Sequence, residues 1–356
     1  MHFSDGQVPA EYRRYIGVKL ALVCLTGGLL ALALVVSISM GAAEIPLADV
    51  AKTLMGWAVS KRFDVIVWNI RLPQALASIV AGAGLAVAGA VMQSVLRNPL
   101  GSPLTLGISH AAAFGAAFAV MILGGGVMGS SNTDAVNITN PYLTTGVAFL
   151  FSLATAVIIV SMSRLRGSSP EVMILTGVAL NALFTAGTML LQFFADDVQL
   201  AAMVFWTFGD TARATWSELG VMAVVTAATS VYFLINGWNY NAIDAGDETA
   251  KGLGVRVDRV RFVGMLLASM LTAVIISFLG IIGFVGLVVP HMVRRIFGSD
   301  HRFLLPGSIL AGGLLLLASD TAARLVLAPH MLPVSVLTAF MGAPVFIYLI
   351  IRGQRR

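Results

Sequence analysis

DAGDETAKGLGVRVDRVR, from Asp244 to Arg261, carries eight charged residues in eighteen, in a chain whose charged fraction is 11%. Long apolar runs flank it on both sides. A charged island between two such runs reads as the polar connection between membrane-crossing segments. Within it, Asp247 is expected to N-cap a helix, with Glu248 on the first turn where the helix dipole favours negative charge. Asp247 and Lys251 stand at i,i+4 in the favourable order. Gly252 and Gly254 tolerate the left-handed conformation that ends helices. The expectation is a short helix of about two turns, exposing Thr249, Ala250 and Leu253. Such a helix suits contact with another protein; an ordinary solvated loop is the competing reading.

Composition agrees with a membrane setting. Of 356 residues, 58% are hydrophobic, and mean hydropathy is +0.90. Soluble domains carry about 25% charged residues, more than twice the fraction here. The class is therefore a polytopic, all-α membrane protein forming one domain over residues 1–356. The 36 glycines fit membrane helices that approach closely through small residues. Cys24 is alone, so no intrachain disulfide is possible. The first apolar run, about Ile16 to Met40, exceeds the 7–15 residues of a signal-peptide core and reads as a permanent span.

Apolar runs and breakers place ten spans near 17–40, 74–96, 105–124, 143–162, 171–194, 216–236, 262–280, 282–297, 304–325 and 333–351. The eighth is short and contains Pro290, so a bent or partial span is expected there. Sixteen of the 22 Lys and Arg residues fall on the side of the termini; the other side holds Lys52, Lys61, Arg62, Arg71, Arg213 and Arg324. The positive-inside rule then puts both termini and the Asp244–Arg261 loop in the cytoplasm. The basic balance, with pI 9.7, is thus topology and not a nucleic-acid footprint. GAVMQSVLRNPLGS (Gly89–Ser102) also echoes GLVVPHMVRRIFGS (Gly286–Ser299) at an offset of 197. A repeat of five spans, with halves near 1–200 and 201–356, would invert the second copy, as in many transporters.

Four stretches together resemble one family. They are Arg71-Leu72-Pro73 with AGAGLAVAGAVMQSVLRNPLGSPLTLGIS (Ala81–Ser109), GDETAKGLGV (Gly246–Val255), GFVGLVVPHMVRRIFGSDHRFLLPGSILAG (Gly283–Gly312) and LPVSVLTAFMGAPVFIYLI (Leu332–Ile350). In this order and spacing the chain is similar to the permease subunits of ATP-binding-cassette importers for iron–siderophore complexes, haem and vitamin B12. The resemblance implies a ten-span subunit of the type II importer class, homodimeric in a bacterial inner membrane, with a path between the copies. It implies two cytoplasmic ATP-binding subunits that carry the ATP and Mg, and an external substrate-binding protein. Gly246, Asp247, Glu248, Thr249, Ala250, Lys251, Leu253 and Gly254 would form the segment docking on the ATPase. Arg71 and Arg324 would meet acidic residues of the binding protein, a role that suits the bidentate guanidinium. Asn98, Pro99 and Leu100 would form the inner gate, with Gln93, Pro290 and His291 along the pathway.

Each assignment has a plainer rival. Arg324 could pair within its helix with Asp320 at i,i+4. Asn98-Pro99-Leu100 could be a structural turn, and His291 a packing residue. Pro290 leaves a backbone carbonyl without its helical donor, which membrane protein tolerates only beside a partner or a cavity. Where family members often carry a second arginine this chain has Gln74; Met331 and Ser335 stand where the family often has an acidic residue and a glycine. His110 and His330 lack a paired ligand and read as bland, so no metal is expected. Ser109 beside His110 is not a dyad, because adjacent helical residues point about 100° apart. Asn137-Ile138-Thr139 matches a glycosylation pattern without meaning in a bacterial membrane. None of the four lysines (Lys19, Lys52, Lys61, Lys251) follows a glycine, so the Gly-Lys pair of a P-loop is missing, and Gly124-Gly125-Gly126 reads as a loop. The chain is therefore expected to be no enzyme and to bind no cofactor itself. The rival function, an ion-coupled secondary transporter, needs an ionisable carrier within a span, for which Asp320 is the best candidate.

Overall fold

The computed structural model describes residues 10–41, 44–57, 60–124, 141–165, 169–327 and 332–353. Ten hydrophobic helices match the ten expected spans in order: α1 (Ala10–Ser39), α4 (Leu72–Val95), α5 (Ile108–Met121), α6 (Pro141–Arg164), α7 (Pro170–Phe194), α9 (Trp216–Ile235), α12 (Val257–Leu279), α13 (Val285–Phe297), α14 (His301–Val326) and α15 (Val334–Gly353). Seven are long and apolar enough to cross a membrane by length and composition; α5, α13 and α15 are the shorter or bent ones. Between them lie short helices the apolar pattern did not foretell: α2 (Leu47–Leu54), α3 (Lys61–Val65), α8 (Asp197–Thr207), α10 (Gly237–Asp244) and α11 (Asp247–Gly252). Their amphipathic or polar sequences are too short for a span-length hydropathy signal.

The centre of the molecule is α4. The continuous helix from Lys61 to Val95 is 83% buried over its most apolar stretch, against 6% for α7 and 11% for α1. Small residues make this possible. A Cβ on Gly82 would lie 2.2 Å from the Gly312 carbonyl oxygen, and one on Gly89 would lie 1.8 Å from that of Gly286. Backbones of α14 and α13 thus rest directly on α4, the close approach that drives association where lipid supplies no hydrophobic force. Just before α4 the helix widens to a π turn over Ile66–Arg71, with the Leu72 N–H donating to Val67 O. Pro73 has no N–H to continue the α pattern, which explains the local unwinding.

The match at offset 197 joins the end of α4 to α13, the second and eighth spans, six apart rather than five. Spans three and eight, α5 and α13, have 14 and 13 residues, and each follows a non-helical stretch, residues 101–107 and 280–284. They stand five spans apart in the chain. The two stretches also meet: Leu104, Pro103 and Ser102 line one small crevice with Ile282, Gly283 and Phe284. Phe284, at φ +65°, holds a conformation unusual for a bulky residue, and its ring fits against Gly342, which has no side chain to obstruct it.

Candidate functional site on the α11 face

The Asp244–Arg261 stretch folds as a helical hairpin bracket: α10, then α11, then the start of α12. The N-cap of α11 is Gly246, at φ +117°, and Asp247 is its first helical residue, a correction to the expected Asp247 cap. The reason lies in Asp247's side chain, which turns inward instead of capping. Both of its oxygens accept from Arg261 Nη2, at 3.0 and 3.1 Å, and Arg97 Nη1 stands 3.9 Å away. The Arg261 side chain is 2% exposed, and its Nε donates to Val95 O at 3.0 Å. One ion pair thus ties α11 to α12 and to the end of α4. Lys251 consequently pairs with Glu248 at 3.0 Å and not with Asp247. That bond raises the Lys251 pKa, through its hydrogen bond and charge attraction to Glu248.

The C-terminus closes as a Schellman motif. Gly254, at φ +80°, donates its N–H to Lys251 O, and Val255 donates to Ala250 O, both at 2.9 Å. Gly252 stays within the helix, so only one of the two glycines serves the stop. Ala250 is fully buried in the main core, a second correction: one turn of helix laid on the protein must bury one residue per turn. Glu248, Thr249, Lys251 and Leu253 face outward, with Leu253 71% exposed. Beside α11 opens a polar cleft of about 530 Å³, lined in part by Arg97, Glu171, Asp247, Lys251, Asp258 and Arg261.

Next to Arg97 in the chain come the residues expected at an inner gate. Asn98 Oδ1 accepts the Leu100 N–H at 2.9 Å, so its side chain closes a turn; Pro99 and Leu100 are exposed, and Arg97 before them has φ +47°. Gln93 is 2% exposed and answers the question posed by Pro290. The carbonyl that Pro290 orphans belongs to Gly286, and Gln93 Nε2 lies 3.5 Å from it and 3.2 Å from Leu287 O. Arg294 donates to Gln93 Oε1 and fixes the amide's orientation. His291 has an edge contact with the Phe346 ring, its packing role.

At the opposite face the two arginines do not point outward. Arg71 is 5% exposed and donates through Nη1 to Ile38 O at 2.8 Å and Ser39 O at 2.9 Å. Arg324 is 6% exposed, bonds Asp320 at 3.2 Å and Ser37 Oγ at 2.6 Å, and reaches the Ser37 and Met40 carbonyls at 3.3 Å. In this arrangement carbonyls at the end of α1 take their donors. Gln74 Nε2 and Thr211 Oγ1 complete the Asp320 carboxylate, at 2.9 and 2.5 Å. A neutral amide is what an acid already paired with Arg324 can accept, which accounts for Gln74. Ser335 is explained likewise: its Oγ accepts the Gly209 N–H at 3.2 Å. With every oxygen engaged, Asp320 is a poor ion carrier. His330, Met331, Gly125, Gly126 and Asn137–Thr139 lie outside the described residues.

The chain matches the FecCD transport family over residues 29–352. It belongs to that family. It is 50% identical over 349 residues to a putative ABC transporter permease protein of Methanocaldococcus jannaschii, covering 98% of this chain and 99% of that one. It is 37% identical to the hemin transport system permease protein of Yersinia pestis, covering 91% and 95%. Among solved structures it resembles "an inward-facing conformation of a putative metal-chelate type ABC transporter", at TM-score 0.80 and 29% identity over 93% of this chain and 99% of that one. This FecCD permease is therefore an all-α, multi-pass membrane subunit of the type II importer class, and its family is a transport family.

Sequence reasoning passed over five residues of this region: Arg261 as the partner of Asp247, and the hydrogen-bonded set Ser94, Asn241, Asp300 and His301. Arg261 lies fourteen residues from its partner, beyond any local pairing rule. A local signal stood only for Asp300, in Ser-Asp-His-Arg (299–302), where Asp300 does N-cap α14.

Proposed function

We propose that this permease carries a metal chelate inward, an iron–siderophore complex, haem or cobalamin, as a homodimer driven by two cytoplasmic ATP-binding subunits on the α11 face. The observation that carries this reading is α11 itself: both ends closed, base locked by Asp247 and Arg261, and Glu248, Thr249, Lys251 and Leu253 presented outward. A helix fixed on its inner side passes on a push as rigid-body motion, with no chemistry required of this chain. ATP and Mg belong to the partner. The bracket is cytoplasmic and so are both termini, by the distribution of Lys and Arg. Asn98, Pro99 and Leu100, next to Arg97 and the cleft, form the inner gate; Gln93, Pro290 and His291 shape the pathway wall. An external binding protein docks at the opposite face, where Arg71 and Arg324 fix the rim at the end of α1 and not the contact itself.

The test is copurification from membranes followed by reconstitution. A stoichiometric P-loop ATPase should accompany the full chain, and vesicles containing both should accumulate haemin, cyanocobalamin or a ferric siderophore only with ATP. Accumulation by the chain alone, collapsing with the proton gradient, would replace this reading with ion-coupled transport.

A further inference from the structure

A second polar connection joins the α10–α11 bracket to the centre of the molecule. His301, the first residue of α14, is fully buried. Its Nε2 lies 2.8 Å from Ser94 Oγ on α4, and its Nδ1 lies 2.8 Å from Asn241 Oδ1 on α10. The amide orientation of Asn241 is fixed from both ends: Oδ1 accepts the His301 backbone N–H at 2.9 Å, and Nδ2 donates to Asp300 Oδ1 at 3.0 Å. An acceptor at Asn241 Oδ1 requires the proton on His301 Nδ1, so Nε2 is bare and accepts the Ser94 hydroxyl. The result is one directional chain, Ser94 to His301 to Asn241 to Asp300, closed at its end by Arg302 bonding Asp300 Oδ2 at 2.6 Å. Asp244, the last residue of α10, stands 3.4 Å from Ser94 Oγ.

We infer that His301 is a positioning residue for coupling: it locks the α10–α11 bracket to α4 and α14 so that the three move as one body when the ATPase pushes on α11. Three features support this. The residue joins three elements through side-chain bonds with complementary donors and acceptors. It is shielded from water, where such bonds are strongest and a broken one costs most. And α10 immediately precedes the helix that meets the partner, so a loose α10 would let α11 tilt without moving α4. The Asp247–Arg261 pair holds α11 from the α12 side; the His301 chain holds the bracket from the α14 side.

This inference rests on the ATPase reading above, and the experiment separates the two. The full chain with its ATPase is placed in lipid nanodiscs in a Cys24→Ser background, with spin labels at Ala245→Cys, between α10 and α11, and Ala318→Cys, on the outer side of α14; both positions are exposed. The interlabel distance should be the same without nucleotide and with ATP plus vanadate. In Ser94→Ala or His301→Gln, with the ATPase still bound and hydrolysing, it should shift or split on adding nucleotide. The double variant should add nothing to the larger single effect, since both cut one chain. Variants that keep the constant distance, a parent whose distance changes with nucleotide, or additive effects in the double variant would overturn the inference while leaving the ATPase reading intact. A parent that retains no ATPase overturns the function reading, and this inference with it.

Discussion

The α11 face and the Arg71/Arg324 face use the same chemistry in opposite ways. On the α11 face an inner ion pair, Asp247 with Arg261, frees the outer residues Glu248, Thr249, Lys251 and Leu253 to meet another surface. On the other face every available donor of Arg324 is spent inside, on Asp320, Ser37 and the last carbonyls of α1. A charged residue at a membrane boundary thus has two possible uses, presentation or internal closure, and residue type alone does not choose between them. What chooses is whether unsatisfied backbone groups lie within reach. α11 ends in a Schellman motif that satisfies its own carbonyls, whereas at the end of α1 the Met40 and Ile45 N–H groups serve Val36 O and Ser39 O and the two arginines supply the donors for the carbonyls of Ser37, Ile38 and Met40.

That contrast can be broken most decisively at Arg324. Arg324→Met removes one partner of a pair whose side chains are 6% and 4% exposed, and should destabilise the permease by about 3–5 kcal/mol in detergent melting. A stable variant with a specific defect in binding-protein docking would restore the arginine to an outward role. Next is Gln93→Leu, expected to cost about 1–3 kcal/mol by leaving the Gly286 carbonyl unsatisfied. In a Pro290→Ala background the new N–H can serve that carbonyl, so the cost should shrink; an unchanged cost would mean Gln93 acts only through Arg294. Leu253→Asp reads the other side of the comparison. It should leave stability within about 0.5 kcal/mol, yet weaken ATPase retention roughly tenfold, the loss expected of an interface anchor. Asp244→Asn carries the smallest effect. Burial raises the Asp244 pKa, against the pull of Arg294, Ser94 and Arg97, so its ionised form is disfavoured by folding. Stability from this group is present at low pH and fades as pH rises through the folded value. The neutral variant should therefore lose less melting temperature than the parent between pH 4 and 7; parallel losses would exclude this carboxyl.

Much of this was legible in the sequence because bilayer thickness forces long apolar runs, so all ten spans and the short eighth one could be placed. The α11 helix was legible too, since Asp247 to Gly254 carries its own charge and stop signals. What stayed hidden depends on contacts between distant elements. Ala250 reads as exposed until α11 is laid on α12. Asp247 reads as a cap until Arg261 arrives from the next helix. His301 and Ser94 are separated by 207 residues, and nothing in either neighbourhood announces the other. The i,i+4 pairing of Asp320 with Arg324, by contrast, is local and stands in the sequence as a rival to the docking role.

The two glycine crossings on α4 have a mechanical corollary. Gly82 and Gly89 are seven residues apart, about two helical turns, so they fall on neighbouring parts of one helix surface. Neither crossing leaves room for a methyl group. Sliding, tilting or separating α4 from α13 and α14 would replace backbone-to-backbone contact with empty space that no side chain is present to fill. These three helices therefore form a stiff spine, and any alternation of access must come from swinging that spine whole against the looser outer helices, of which α7 is the least enclosed.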